Sequence, residues 1–199
     1  MKANNYLLLL NIFLILVCSQ SCAQNKELLT EDEKIWNPYK QGQILIFESS
    51  NNEQDTVKII DIQEVFPDGL GTITYNERLR VLARHNTPKR KGLIDTYIFS
   101  VIAQTDKHPT QYQFSIELEN SFFIDDKYEL KYLENLSEIE VQVKAGRYDD
   151  VIVIGTLRDY SHYKTAIEVI YWSKENGFIR LDKYDGSFWQ LIEVINPDQ

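Results

Sequence analysis

Residues 166–194 read AIEVIYWSKENGFIRLDKYDGSFWQLIEV. Three runs rich in β-branched and aromatic residues, 166–172, 178–183 and 188–194, are separated by Asn176-Gly177 and Asp185-Gly186. Those dipeptides favour the positive φ angles of type I′ hairpin turns. The stretch therefore predicts an antiparallel three-stranded meander. A few strands alone cannot bury an apolar face, so the rest of the chain must continue the sheet or cover it.

Working back from there, the same period-two signal recurs. In 111–119 the residues Tyr112, Phe114, Ile116 and Leu118 share one face, while Gln113, Ser115 and Glu117 take the other. Residues 138–143 repeat the pattern. In 72–84, Ile73, Tyr75, Leu79, Val81 and Ala83 point one way and Thr74, Arg78, Arg80 and Arg84 the other, with Glu77 breaking the apolar face. That break predicts a bulge, or a turn at Asn76-Glu77. Denser apolar runs at 44–47, 57–62, 97–103 and 151–154 are expected of strands covered on both faces. Only 126–136 carries a helical spacing, through Tyr128, Tyr132, Leu133 and Leu136. Ten or so strands then form one all-β domain with minor α content. It is either a curved antiparallel sheet, a half-barrel, or a closed lipocalin-like barrel.

The N-terminus has a different character. Lys2 precedes an apolar run over 6–17 that is much shorter than the roughly 20 residues of a membrane-spanning helix. Small and polar residues follow, which is the layout of a signal peptide spanning residues 1–23. Ser21-Cys22-Ala23 suits cleavage before Gln24, and Ser21 before Cys22 is the alternative signal for lipidation of Cys22, with Ser19 where a lipobox usually has Leu. Residues 24–38 read as a linker or short helix, with the capping box of Thr30 and Glu33 at its start and Pro38 at its end. Residues 39–199 form the single β-rich domain. Both cysteines fall within the first 23 residues, so the domain has no disulfide, thiol nucleophile or thiolate metal site. Removing those residues takes away Lys2 alone and leaves 20 basic against 30 acidic side chains, net −10. Such acidity argues against nucleic acid as a partner.

Against that background 76–91 is an island of +5, with Arg78, Arg80, Arg84, Lys89, Arg90 and Lys91 opposed only by Glu77. Arginine forks suit carboxylate or phosphate, so these six residues are the candidate anion-binding patch. The plainer reading is a charged strand face that deters edge pairing and meets acidic neighbours such as Glu117 and Glu119. His85, His108 and His162 have no metal-ligand spacing, so neither a metal nor a cofactor is expected. Asp159-Tyr-Ser-His162 lacks a nucleophile elbow, and Asp125-Asp126 and Asp149-Asp150 lack the spacing of a calcium loop; turn and cap aspartates explain them.

The stretch 171–191 resembles a group of uncharacterised bacterial envelope proteins. These close their domain with a Tyr-Trp-Ser-Lys strand, a glycine turn, an Ile-Arg strand and an Asp-Gly-x-x-Trp-x-Leu strand. Residues 38–48 are similar to their opening strand. The resemblance implies an exported β domain, periplasmic or anchored at the outer membrane of a Gram-negative-type envelope. By analogy it implies a curved sheet like that of lipoprotein carriers. It carries no activity and no functional residue. The expectation is a non-enzymatic binding module for an envelope protein or an amphiphilic or anionic ligand. A carrier would show an apolar concavity with Arg78, Arg80 and Arg84 near its mouth, and would touch a membrane only through a lipid on Cys22. Two rival expectations are a hydrolase of an envelope polymer and a structural or assembly subunit. The first needs at least two of Asp125, Asp149, Asp159, Glu138 and His162 in one cleft; the second needs a large exposed apolar patch.

Overall fold

A computed structural model describes residues 28–66, 76–86, 95–105, 107–119 and 121–197, apart from the side chains of 124–126. In chain order the elements are α1 (Glu31–Lys34), β1 (Ile44–Ser49), β2 (Gln54–Val65), β3 (Arg78–His85), β4 (Asp95–Ile102), β5 (Gln111–Leu118) and β6 (Ser121–Glu129). Then follow α2 (Leu130–Glu134), β7 (Ile139–Val143), β8 (Gly146–Gly155), β9 (Ile167–Ser173), β10 (Gly177–Lys183) and β11 (Phe188–Ile195). All eleven strands form one antiparallel sheet in the order β6-β5-β4-β3-β2-β1-β11-β10-β9-β8-β7. Two meanders thus run outward from the central pair of β1 and β11, the first and last strands of the domain.

The sheet curls into a half-barrel, open rather than closed. Its two edge strands do not pair with each other, but side chains and single bonds stitch the seam. Phe122 N donates to Thr165 O (3.1 Å), Tyr128 OH to Gly155 O (2.9 Å) and Trp189 Nε1 to Ser121 Oγ (2.9 Å). The enclosed concavity is filled by the protein's own aromatic residues. Trp172 lies at its centre, with Phe99 stacked at 5.2 Å and Phe114, Phe178 and Tyr39 edge-on at 4.8, 5.0 and 5.8 Å. Each such pair adds roughly 0.5–1.5 kcal/mol beyond the apolar area it buries.

Both ends of the curl are shut. At one end the buried Glu77 carboxylate accepts from Leu29 N (2.8 Å) and pairs with Lys34 Nζ (2.8 Å), fastening residues 28–39 across the opening. Trp36 then packs on Tyr112 at 5.2 Å, and Tyr39 OH accepts from Phe178 N at 3.1 Å. A Cβ at Gly177, where φ is +80°, would stand 2.2 Å from that hydroxyl, so this turn has room only for glycine. At the other end the buried Asp55 accepts from Glu119 N (2.7 Å), and His85 Nε2 meets Thr96 Oγ1 (2.8 Å).

Several expectations need correction. The helix foreseen over 126–136 is only Leu130–Glu134, because Ser121–Glu129 pairs with β5 as a strand. The two hairpin glycines do take positive φ, but Asn176 and Asp185 do not, so neither turn is type I′. A turn ending in a left-handed glycine serves instead. The dense run at 97–103 is covered as expected except at the exposed Tyr97, and the run that is not covered on both faces is 57–62, where Lys58 is exposed. The ladder between β3 and β4 shifts at Val81/Leu82, and the adjacent Ile98 and Phe99 are both buried. That bulge sends Tyr97 and Ser100 to the outer face.

Candidate functional site

The ladder aligns outer-face residues into a row that crosses five strands: Gln63, Arg80, Ser100, Gln113 and Lys127 are successive register partners. Strands lie about 4.8 Å apart, so Arg80 and Lys127 stand on the order of 14 Å from each other. Two irregularities flank the middle of the row, one at Val81/Leu82 and one at Phe114/Ile116 around Ser115. Between them lies a recess of about 180 Å³ lined by Arg80, Tyr97, Ser100, Gln113 and Ser115. At roughly 30 Å³ per water, it holds about six waters' worth of space. A drug-sized ligand needs a cleft of about 300 Å³ or more. The recess therefore suits one head group, side chain or sugar ring.

Its polar groups are fixed in place yet not used up. Arg80 lies over the Tyr97 ring at 5.1 Å, and Tyr97 OH donates to Gln63 Oε1 at 3.1 Å. Ser100 Oγ donates to Gln113 Oε1 at 2.9 Å, which leaves the Gln113 amide N–H groups and the Ser115 hydroxyl facing the recess. Arg78, two residues along the same strand face, has a buried Nε with no hydrogen-bond partner among the described residues. Burial, and then the charge of Arg80, pull its guanidinium below the ordinary value. Among the described residues no carboxylate pairs with Arg78 or Arg80.

The structure thus divides the basic patch. Arg84, at the far end of β3, makes a two-pronged bond to Asp95 at 2.8 and 3.0 Å, and each partner pushes the other's charged form to be favoured. Its charge is spent on the neighbouring strand. Lys89, Arg90 and Lys91 lie outside the described residues, as does Cys22. The patch's three described arginines sit on the outer face; none lies at the mouth of an apolar concavity, since the concavity is filled. Sequence reasoning missed Tyr97, Ser100, Gln113 and Ser115. Ser100, a lone small polar residue within an apolar run, was the available signal, while Gln113 and Ser115 read only as the polar face of an alternating strand; placing them beside Arg80 requires the register and the bulges.

The acidic and histidine candidates do not converge. Glu138 pairs with Lys174 at 3.3 Å near the plugged end. Asp159 and His162 belong to the loop after β8, at the opposite end, where Asp159 accepts from Ser161 N at 2.8 Å and its pKa is lowered by Ser161 and then His162. Asp149 is exposed on β8, and the side chain of Asp125 lies outside the described residues. No group of three His, Cys, Asp or Glu suited to a metal occurs among the described residues. A second, larger recess of about 490 Å³ beside β11 gathers Lys40, Glu175 and Glu193, with no convergence of one charge sign.

No family model, no curated protein and no solved structure matches the chain.

Proposed function

We propose that this chain is an exported, non-enzymatic binding module of the cell envelope, and that it holds an anionic ligand, or the anionic group of a partner, on its outer face at Arg78 and Arg80. The observation that carries this reading is Arg80 on the wall of a polar recess with Arg78 next to it along the same strand face, neither with a carboxylate partner among the described residues, in a chain of net charge −9. Two neighbouring like charges cost stability unless a ligand uses them. The filled concavity favours this face over an amphiphile carried inside the sheet.

The test is native mass spectrometry of the full-length protein purified from its own envelope, beside the double variant Arg78→Gln/Arg80→Gln. The wild type is expected to carry an anionic species that the variant lacks, and a wild type as bare as the variant would sink the reading. The same spectra report whether the chain starts at Gln24 or carries lipid on Cys22.

A structural or assembly role draws on a different feature. The exposed Leu28, Ile35 and Phe66 each lie within two residues of a group in the Glu77 network. Self-association that Ile35→Ser abolishes would favour that role.

A further inference from the structure

Resting on the proposed anion site, we infer that its occupant is an acidic sugar, a pyranose bearing a carboxylate, with Arg80 taking the carboxylate and the row of amide and hydroxyl groups taking the ring hydroxyls. An acidic protein side chain presents only acceptors and needs only the guanidinium fork. It would leave Gln113, Ser100 and Ser115 facing nothing. A phosphate is best met by several cations or by free backbone N–H groups. Here Arg80 is the one cation among the described lining residues, and the backbones of Arg80, Ser100 and Gln113 are engaged in the ladders of β3, β4 and β5.

Sugar hydroxyls differ from both, because each one donates and accepts. The lining matches that dual character: Gln113 offers amide N–H donors, Ser115 offers a hydroxyl that does either, and Ser100 Oγ retains acceptor capacity after donating to Gln113. Tyr97 is the one aromatic side chain among the described lining residues. The space of about 180 Å³ is that of a single ring rather than of a long chain.

The register row also says where a second unit would lie. Beyond Gln113 the row ends on the exposed Lys127. A polymer of such sugars laid across the strands would bring another carboxylate to that lysine, whereas a single sugar would not reach it.

The experiment is an NMR titration of the isotope-labelled full-length chain with glucuronate, glucose, acetate, inorganic phosphate and an oligomer of uronic acid. Glucuronate is expected to shift the amides of Ser100, Gln113 and Ser115 saturably, about tenfold or more tighter than acetate or glucose, and Arg80→Gln is expected to abolish that margin. If the oligomer binds tighter still and Lys127→Gln removes only its advantage, the source is a polysaccharide; equal binding of the two assigns a free sugar acid. Acetate matching glucuronate would overturn the sugar and leave the anion site standing, and so would phosphate binding more tightly. Glucose matching glucuronate, or no saturable shift with any probe, would overturn both readings. Ser115→Ala, which leaves every charge in place, should weaken glucuronate and not acetate; equal effects on the two would also count against the sugar.

Discussion

The two faces of β5 follow opposite rules. Inward, Tyr112, Phe114, Ile116 and Leu118 are all within 1% of full burial, and the rings of Tyr112 and Phe114 meet aromatic partners at close range. Outward, Gln113 and Ser115 are half-buried beside an arginine pair without a described carboxylate partner. Acidic residues are not scarce, since the chain has 30 of them, and Arg84 on the same strand found Asp95. Arg78 and Arg80 are therefore exceptions within their own strand. Positions that break a local rule without a compensating contact are where function is to be sought. The inner face reads as fold and the outer face as site, and each can be tested against that division.

The largest effect should come from the inner face. Trp172→Ala removes the ring on which Phe99, Phe114, Phe178 and Tyr39 converge, and should cost about 3–5 kcal/mol. That is a large share of the roughly 5–15 kcal/mol that holds a domain together. Urea denaturation followed by circular dichroism measures it. A cost below about 1 kcal/mol would mean that the concavity tolerates an empty centre, and would return the amphiphile carrier to consideration.

Next comes the plug. Glu77→Ala leaves Leu29 N without its acceptor and Lys34 without its buried partner, so about 2–3 kcal/mol should be lost. Lys34 retains Glu64 at 3.5 Å, and hydrogen bonding to Glu77 is what chiefly raises its pKa. Limited proteolysis of the variant should cut within residues 28–39 before it cuts the sheet. Simultaneous loss of both would show that the plug and the sheet unfold as one unit.

The sequence made much of this legible, and the gaps have physical causes. The strands of the C-terminal meander and the clean alternation of β5 follow from period-two patterning, which depends only on the chain itself. Glu77 also announced an irregularity. What it does there, anchoring a segment nearly fifty residues upstream, was hidden because its partners are distant in sequence. The site was only half visible. Charge composition pointed to Arg78 and Arg80, but also to Arg84, and only the cross-strand pairing shows that Asp95 occupies one and not the others. Tyr97 read as buried strand, and the buried Ser100 gave no sign of facing outward, because a bulge at Ile98 cannot be told from a two-sided apolar run.

A smaller, pH-dependent effect belongs to the inner face at the end opposite the plug. Burial pushes the His85 imidazole below its ordinary value, against the pull of Glu117 and Asp55. In the unfolded chain it protonates near 6.5, and in the folded chain only at lower pH. Within that window the unfolded state binds more protons, so stability rises with pH and is lost as pH falls through it. His85→Gln should flatten the slope of the denaturation midpoint below about pH 6.5; an unchanged slope would place the titration elsewhere.

The smallest effect on stability, and the largest on binding, is expected at the outer face. Arg80→Gln should change stability by no more than about 0.5 kcal/mol, and Arg78→Gln should raise it slightly, because each substitution relieves repulsion between neighbouring guanidinium groups. Arg84→Gln serves as the control: it breaks an exposed pair with Asp95, and should disturb binding least of the three. If Arg80→Gln instead cost more than about 1.5 kcal/mol, the residue would be holding strands together, and the division between the faces would fail. A stable Arg80→Gln protein that no longer shifts on adding anion would leave recognition as the role for that charge.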